Sequence, residues 1–328
     1  MKTLPDAVIP LSQQLAYETF SAILDGDFED DAIAGFLIML AERDETSSEI
    51  AGAALAMRER MITVIAPANA IDVCGTGGDG AHSLNVSTAV AIVVAASGVP
   101  VAKHGNRAAS SKAGAADTLE ALGLDLDRAS DRAEASLNEV GLCFLFAQKH
   151  HPALARVGPI RKRIGRRTIF NLLGPIANPA GVARQLIGVA RPDFLPVYAG
   201  ALGAIGCDSA MMVSGDEPLD ELSIAGPSSI FRLGESGFGA ERFEPETAGL
   251  TRRPLDAIRG GDPAYNAAAL SRLLDGEPGA YRDAVLLNAA AALIVAGKAA
   301  DWEQGVAIGR NAIDSGAAKD LLARWVGF

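Results

Sequence analysis

The chain has 328 residues, ample for a sizeable core in one large or two smaller domains, and 49% of them are hydrophobic. Its 29 Lys and Arg against 40 Asp and Glu leave a net charge of −11, which argues against broad binding to nucleic acid or to an anionic membrane, where a basic face must replace counterions. Cys74, Cys143 and Cys207 are odd in number, far apart and set beside apolar or glycine residues, so they read as buried free thiols of a reducing compartment, with no disulfide framework or zinc spacing.

The opening MKTLPDAVIPLSQQL has no basic stretch leading into an apolar core, and no apolar run approaches membrane-spanning length, so a cytoplasmic protein is expected. Residues 11 to about 65 carry helical spacing, with Phe20, Ile23 and Leu24 in one segment, Ile33, Phe36, Leu37, Met39 and Leu40 in the next, and a capped start at Ser47 and Ser48. Such faces are too apolar for three short helices alone and must pack on later parts of this chain or on a second copy. Ala66 to Ala70 reads as a linker into a first strand at Ile71 to Cys74.

Gly75, Gly77, Gly78 and Gly80 follow that strand at once, so the backbone can turn tightly and approach a ligand closely. Asn85, Val86, Ser87 and Thr88 then open a run apolar on every side and ended by Gly98, a buried helix whose free N–H groups and hydroxyls make an anion site. The chain returns through Val99 to Ala102 as a buried strand and delivers Lys103, His104, Asn106, Arg107, Ser110 and Ser111 from the next loop. Two adjacent strand ends therefore offer donors and cations to one crevice. GTGGDG also satisfies the GxGxxG pattern of dinucleotide sites, yet Lys103 stands where an acidic ribose ligand would be needed. Asp79 is a poor neighbour for a bare pyrophosphate but suits one that arrives with a divalent cation, or a sugar hydroxyl. The G-K-[ST] of a triphosphate loop is absent.

Ser130 to Val140 follows as a polar-faced helix and Leu142 to Phe146 as a short buried strand. HHPALARVGPIRKRIGRRTIFNLLGPIANPA then breaks the alternation with helical patterning and a cluster of Arg161, Lys162, Arg163, Arg166 and Arg167, which on charge alone reads as a solvated helix face. Alternation returns with LIGVA as a strand, Leu195 to Leu202 as a helix and Ala210 to Val213 as a strand. After that strand Asp220 and Glu221 stand side by side at a turn, where they can hold a hard divalent cation through oxygen or simply face solvent. Arg253 to Phe328 carries no motif chemistry, only core helices at Asp283 to Ala296 and Trp302 to Ile313.

Three of these motifs, GTGGD, NVST and KHGNR-x-x-SS, and the ADTLEALG that follows at residues 116–123, resemble in order and spacing those of the anthranilate phosphoribosyltransferase family. HPA…PxR…RTIFNLLGPxxNPA and the paired DE extend the resemblance over nearly the whole chain. With the alternation of elements it implies an α/β fold with a mostly parallel central sheet flanked by helices, and a smaller, sequence-discontinuous all-helical domain. The helical domain would comprise residues 1–66 and a return segment at 150–184, and the α/β domain residues 71–149 and 185–328. The implied activity is transfer of the phosphoribosyl group of phosphoribosyl pyrophosphate to the amino group of anthranilate, releasing pyrophosphate, in tryptophan biosynthesis.

The resemblance places phosphoribosyl pyrophosphate on Gly75, Gly78, Asp79, Ser83, Asn85, Val86, Ser87 and Thr88, with Lys103, His104, Gly105, Asn106, Arg107, Ala108, Ala109, Ser110 and Ser111 closing over it. Anthranilate would sit on Gly75, Asn106 and Arg161, a planar guanidinium facing a planar carboxylate. Mg2+ would be held by Ser87, Asp220 and Glu221, and a homodimer would form through the helical layer. No Ser-His-Asp or Cys-His constellation is apparent, so catalysis is expected to be positioning by Lys103, His104 and Asn106 rather than covalent. His104 reads equally well as a residue that orients its own loop. Three positions depart from the family pattern: Ser214 for a histidine, Pro218 for a glycine, and Ala115 for the serine of GSAD. Proline fixes its own φ and restricts Glu217, so the loop before the acids is expected to sit differently. A pyrimidine nucleoside phosphorylase is the alternative enzyme, disfavoured by Gly105 and Asn106 after His104. A non-catalytic nucleic-acid-binding paralogue would have lost KHGNR and DE and gained basic charge.

Overall fold

The computed structural model describes residues 3–108, 111–217, 219–234 and 238–328. Three helices come first: α1 (Gln13–Asp25), α2 (Asp30–Arg43) and α3 (Ser47–Arg58). Ser12 caps α1 through the Leu15 N–H, and Gly26, at φ 84°, ends it. The expected start of α3 at Ser47 lies one residue inside the true cap, Thr46, which forms a capping box with Glu49. Glu49 is fully buried, and its charge is paired with Arg43 while Leu11 N–H donates to it.

β1 (Ile71–Gly75), α4 (Val86–Ala96), β2 (Val101–Gly105), α5 (Ala115–Ala121), α6 (Leu126–Asp131), α7 (Ala133–Glu139) and β3 (Leu142–Phe146) follow. The second strand begins later than Val99 and carries Lys103 and His104 within it, because β3 pairs it as far as Gly105 opposite Phe146. The single helix expected over 130–140 is broken at Arg132, whose φ of −110° is not helical. The chain leaves the sheet for α8 (Ala147–His150), α9 (Leu154–Ile164) and α10 (Leu173–Ile176), and α9 packs on α1 and α2. It returns as β4 (Arg184–Gly188), α11 (Leu195–Ala204) and β5 (Ser209–Gly215). A hairpin of β6 (Ser228–Leu233) and β7 (Gly239–Phe243), then α12 (Pro263–Leu274), α13 (Ala280–Val295), α14 (Trp302–Asp314) and α15 (Ala317–Gly327) complete the order.

The described strands form one sheet in the order β3-β2-β1-β4-β5-β6-β7, parallel from β3 to β5 and antiparallel beyond. Alternate residues of each strand feed opposite faces. Val73, Leu186, Met211 and Val213 join α4, α13 and the C-terminal helices in one core, while Ile187, Ala210 and Met212 join α1 to α3, α9 and α11 in the other. α4 is apolar all round because it is enclosed between the sheet and α13. The ends of β1, β2, β4 and β5 open into a crevice between these two layers, where ligands of open parallel sheets bind.

Candidate active site

The crevice encloses about 870 Å3. Its floor begins at the glycine turn, where Gly77, Gly78 and Gly80 adopt φ of 67°, 72° and 77°, a region closed to most side chains. Gly75 and Gly188, paired across β1 and β4, serve a different purpose. A Cβ on Gly75 would lie 2.2 Å from Asp220 Oδ2, and one on Gly188 would lie 1.4 Å from the Asp220 carbonyl oxygen. The two bare positions form a saddle in which Asp220 sits, its Oδ2 accepting the Gly77 N–H at 2.6 Å.

Glu221 reaches the first turn of α4, where its Oε1 accepts the Ser87 N–H at 3.2 Å, and its Oε2 is buried without a partner among the described residues. Asn288 of α13 clamps the next residue both ways, accepting the Leu222 N–H at 2.9 Å and donating to the Leu222 carbonyl at 3.1 Å. Asp79 lies alongside, its Oδ2 3.4 Å from the Asp220 nitrogen. Burial raises the pKa of Asp220, as does the charge of Asp79, and burial together with Asp220 raises that of Glu221. An orphaned carboxylate oxygen beside a second raised carboxyl calls for a cation. Among the described residues no three His, Cys, Asp or Glu side chains make a closed cage, which fits magnesium, since that ion is held by one or two carboxylates together with substrate phosphates and water.

Lys103 lies beneath this group, 1% exposed, donating to the Val73 carbonyl at 2.7 Å and to Ser87 Oγ at 3.2 Å. The loop after β2 folds back on α5. Asp117 accepts from the N–H groups of Ala108 and Gly114 and from Arg107, which also pairs with Glu120. Gly114 has no room for a side chain, since a Cβ would meet Ala108 N at 2.4 Å.

The opposite wall comes from α3, α8 to α10 and their connections, with Met57, His151, Leu154, Arg161, Phe170 and Gly174 facing the end of β2. His104 Nδ1 lies 2.7 Å from the Gly174 carbonyl, so the proton sits on that nitrogen, and Nε2 faces His151 Nε2 at 3.2 Å. Burial holds both rings neutral, His104 lowered to about 3 and His151 to about 4. Arg161 stacks over Phe170 at 5.6 Å and, among the described residues, has no carboxylate partner. Of the basic cluster, Arg163 pairs with Asp31 at the surface and Arg166 with Glu42, while Arg161, Lys162, Arg166 and Arg167 line the crevice.

Gly75, Gly78, Asp79, Ser83, Asn85, Val86, Ser87, Lys103 to Ala108, Ser111, Arg161, Asp220 and Glu221 all line this one space. Ala109, Ser110 and Pro218 lie outside the described residues. Thr88 is 1% exposed with an unpartnered Oγ1 and does not line the crevice, because one helical turn directs it into the core. The Asn85 side chain is engaged by the protein: it donates to the Ala113 carbonyl and accepts from Thr118 and Asn266. Ser214, where the resemblance leads one to expect a histidine, is fully buried with an unpartnered hydroxyl, and Ala115 lines the crevice. Sequence reasoning missed His151, Gly188, Asn266, Tyr281 and Asn288. The C-terminal region read as carrying no chemistry holds the phosphate-side loop in place: Leu84 N–H donates to the Ile258 carbonyl, Gly260 N–H to the His82 carbonyl, and the Tyr281 hydroxyl to the Asn85 carbonyl.

A parallel-sheet crevice with a glycine turn, an acidic pair and a separate helical wall is the arrangement with which known proteins can be compared. The glycosyl transferase family, a/b domain, matches residues 67–319, and the glycosyl transferase family, helical bundle domain, matches residues 7–61. The anthranilate phosphoribosyltransferase of Novosphingobium aromaticivorans is 60% identical over 326 residues, 99% of each chain, and that of Sphingopyxis alaskensis is 59% identical over 99% of this chain and 98% of its own. Among solved structures, the anthranilate phosphoribosyltransferase of Thermus thermophilus superposes with a TM-score of 0.93 at 44% identity, covering 98% of this chain and 99% of that one. The Saccharomyces cerevisiae enzyme in complex with PRPP and Mg gives 0.88 at 28% identity, covering 97% and 93%. The chain belongs to the anthranilate phosphoribosyltransferases of this glycosyl transferase family.

Proposed function

We infer that the chain transfers the phosphoribosyl group of phosphoribosyl pyrophosphate to the amino group of anthranilate, with release of pyrophosphate, in tryptophan biosynthesis. The observation that carries this reading is the convergence of two unlike walls on one crevice: a glycine turn, helix start and acidic pair on one side, and Arg161, His104 and His151 on the other. The C1–O bond to pyrophosphate breaks as the C1–N bond forms and the amine gives up a proton. No covalent intermediate with the protein is needed, so the chain contributes placement and charge.

The turn from Gly75 to Ser83 and the first turn of α4 take the anionic substrate, with Lys103 to Ala108 and Ser111 facing it. Arg161 receives the anthranilate carboxylate, with Phe170 and Met57 flanking the ring. The neutral imidazoles of His104 and His151, held to each other and to the Gly174 carbonyl, flank the same side of the crevice. Asp220, Glu221 and Ser87 would hold Mg2+, which when bound offsets the charge growing on the leaving pyrophosphate. The yeast relative was solved with PRPP and Mg, and the orphaned Glu221 Oε2 supports the same ion here.

Loss of anthranilate fluorescence on mixing the protein with magnesium, phosphoribosyl pyrophosphate and anthranilate is the expected result. Phosphorolysis of thymidine without that loss would favour a nucleoside phosphorylase. Asp220→Asn with Glu221→Gln keeps the shape but not the charge, and should lower turnover by a few orders of magnitude while raising the magnesium concentration needed. Wild-type turnover at unchanged magnesium dependence would remove the pair from the mechanism.

The helical unit of residues 1–66 and 150–184, against an α/β unit of 71–149 and 185–328, is the division we adopt, and exposed apolar residues support a homodimer through the helical unit. Val8, Ile9, Leu15 and Met39 are exposed apolar residues of that layer. Leu15→Glu with Met39→Glu should give monomer by light scattering, and an unchanged dimer would place the interface elsewhere. No described helix is long and apolar enough to cross a membrane, and the free cysteines support a cytoplasmic location.

A further inference from the structure

Beneath the crevice, β1 and β2 part. Ile71 pairs with Val101, and Ile71 N–H donates to the Pro100 carbonyl at 2.9 Å. Continued along two parallel strands, that register would join Val73 N–H to the Ala102 carbonyl and His104 N–H to the Val73 carbonyl. The pairing of Val73 with Lys103 is not made, and side chains take the groups it would have used. Asp72 Oδ1 accepts the His104 N–H at 3.0 Å, Asn178 Nδ2 donates to the Ala102 carbonyl at 2.8 Å, and Lys103 Nζ donates to the Val73 carbonyl at 2.7 Å. Asn178 Nδ2 also donates to Asp72 Oδ2 at 2.7 Å, where Cys74 Sγ approaches at 3.5 Å, and Asn178 Oδ1 accepts the Ala180 N–H at 2.7 Å.

Asp72 is 0% exposed and Asn178 1% exposed, and neither lines the crevice. A carboxylate and an amide buried at a sheet seam cost desolvation that two ordinary ladder bonds would avoid. What the exchange achieves is placement. With the ladder opened, the Lys103 side chain passes under β1 to Ser87, while the far edge of β2 stays fully paired with β3. Only the face toward β1 is set by side chains. We propose that Asp72 and Asn178 are positioning residues for the phosphoribosyl transfer, replacing the β1–β2 ladder and fixing where the Lys103 to Asn106 segment stands without touching either substrate. The proposal rests on the reading of the crevice given above.

Asn178→Ala deletes both donor bonds, and Asn178→Leu does so while filling the space. Both should lower kcat roughly 10- to 100-fold, the scale of a misplaced catalytic segment, with KM for both substrates nearly unchanged, and the His104 amide should exchange with solvent at least about tenfold faster as its acceptor loosens. Ile23→Val, on the buried face of α1, serves as a control of lowered Tm with unchanged turnover. An Asn178→Leu enzyme with wild-type kcat would overturn the proposal. So would a loss confined to KM, or a fall in kcat matched by the control. If neither Asn178 variant folds, Asp72→Asn is judged by the same kcat, KM and exchange criteria. A wild-type protein with no transferase activity would refute the reading of the crevice, whereas unchanged His104 exchange in an active Asn178 variant would refute the joint alone.

Discussion

Arg161 shows how far a single side chain can depart from its sequence neighbourhood. It stands in a cluster of five basic residues, two of which make surface ion pairs, yet burial lowers its pKa, and its guanidinium stacks over the Phe170 ring with no carboxylate partner among the described residues. A half-buried guanidinium with no carboxylate partner among the described residues is suited to receive one from a ligand. Arg161→Ala should therefore weaken anthranilate by about 1.5–3 kcal/mol and leave phosphoribosyl pyrophosphate nearly unaffected. Separate KM measurements for the two substrates check this, and equal losses would make the arginine a support of the fold. At this scale the legible residues were those with motif chemistry: the glycines at positive φ, Ser87, Lys103, and the Asp220–Glu221 pair. Gly188 was not legible, because its need for an absent Cβ arises only when Asp220 folds over β4. His151 was hidden for a similar reason, since its meeting with His104 depends on α8 returning beneath β2.

Among elements, α4 and the loop before it show the division between what patterning reveals and what packing adds. The helix was legible from its apolar run and glycine stop, while its anchorage was not. Asn266 of α12 donates to Asn85 Oδ1 at 2.8 Å and accepts the Gly261 N–H at 2.8 Å, so it ties the start of α4 to the segment that carries Ser83. Asn266→Ala should raise KM for phosphoribosyl pyrophosphate several-fold and lower Tm, the usual consequence of leaving buried polar partners unpaired, a cost of about 1–3 kcal/mol. KM for anthranilate should hold, and a rise in both would show that α12 supports the whole crevice. The hairpin of β6 and β7 escaped the sequence reading because β7 is short, mostly exposed and charged, with little apolar alternation to mark it.

Across the whole molecule, two buried groups pull stability in opposite directions with pH. His104 and His151 titrate near 3 and 4, burial being the main cause, whereas an unfolded histidine titrates near 6.5. Below pH 6.5 the unfolded chain takes up protons that the native one refuses, so this contribution is complete above 6.5 and is lost as pH falls through 4 toward 3. Asp220 and Glu221 behave in reverse: their raised values favour the native state at acid pH, and that advantage is lost as pH rises through them. A divalent cation takes the place of those protons. The rise in Tm on adding magnesium should therefore be larger at pH 8 than at pH 6 by scanning calorimetry, and should vanish in Asp220→Asn with Glu221→Gln. The α/β alternation and the apolar N-terminal helices made the two-layer plan legible. That α11 would press on α3, with Gly200 against Ser47, was not, since α11 is apolar on all sides and shows no preferred face.

The tie from Tyr281 to Asn85 spans 196 residues of chain, that from Asn266 to Asn85 spans 181, and that from Glu221 to Ser87 spans 134. A chain emerging from the ribosome exposes its glycine turn long before any of these partners exists. The substrate site is thus a late product of synthesis, assembled only once α13 has been released, and loop closures of that length make its final consolidation slow. Nascent chains arrested before α13 clears the exit tunnel should leave the apolar α4 without its cover and bind no phosphoribosyl pyrophosphate, although the first helices can already pack on α9 and α11.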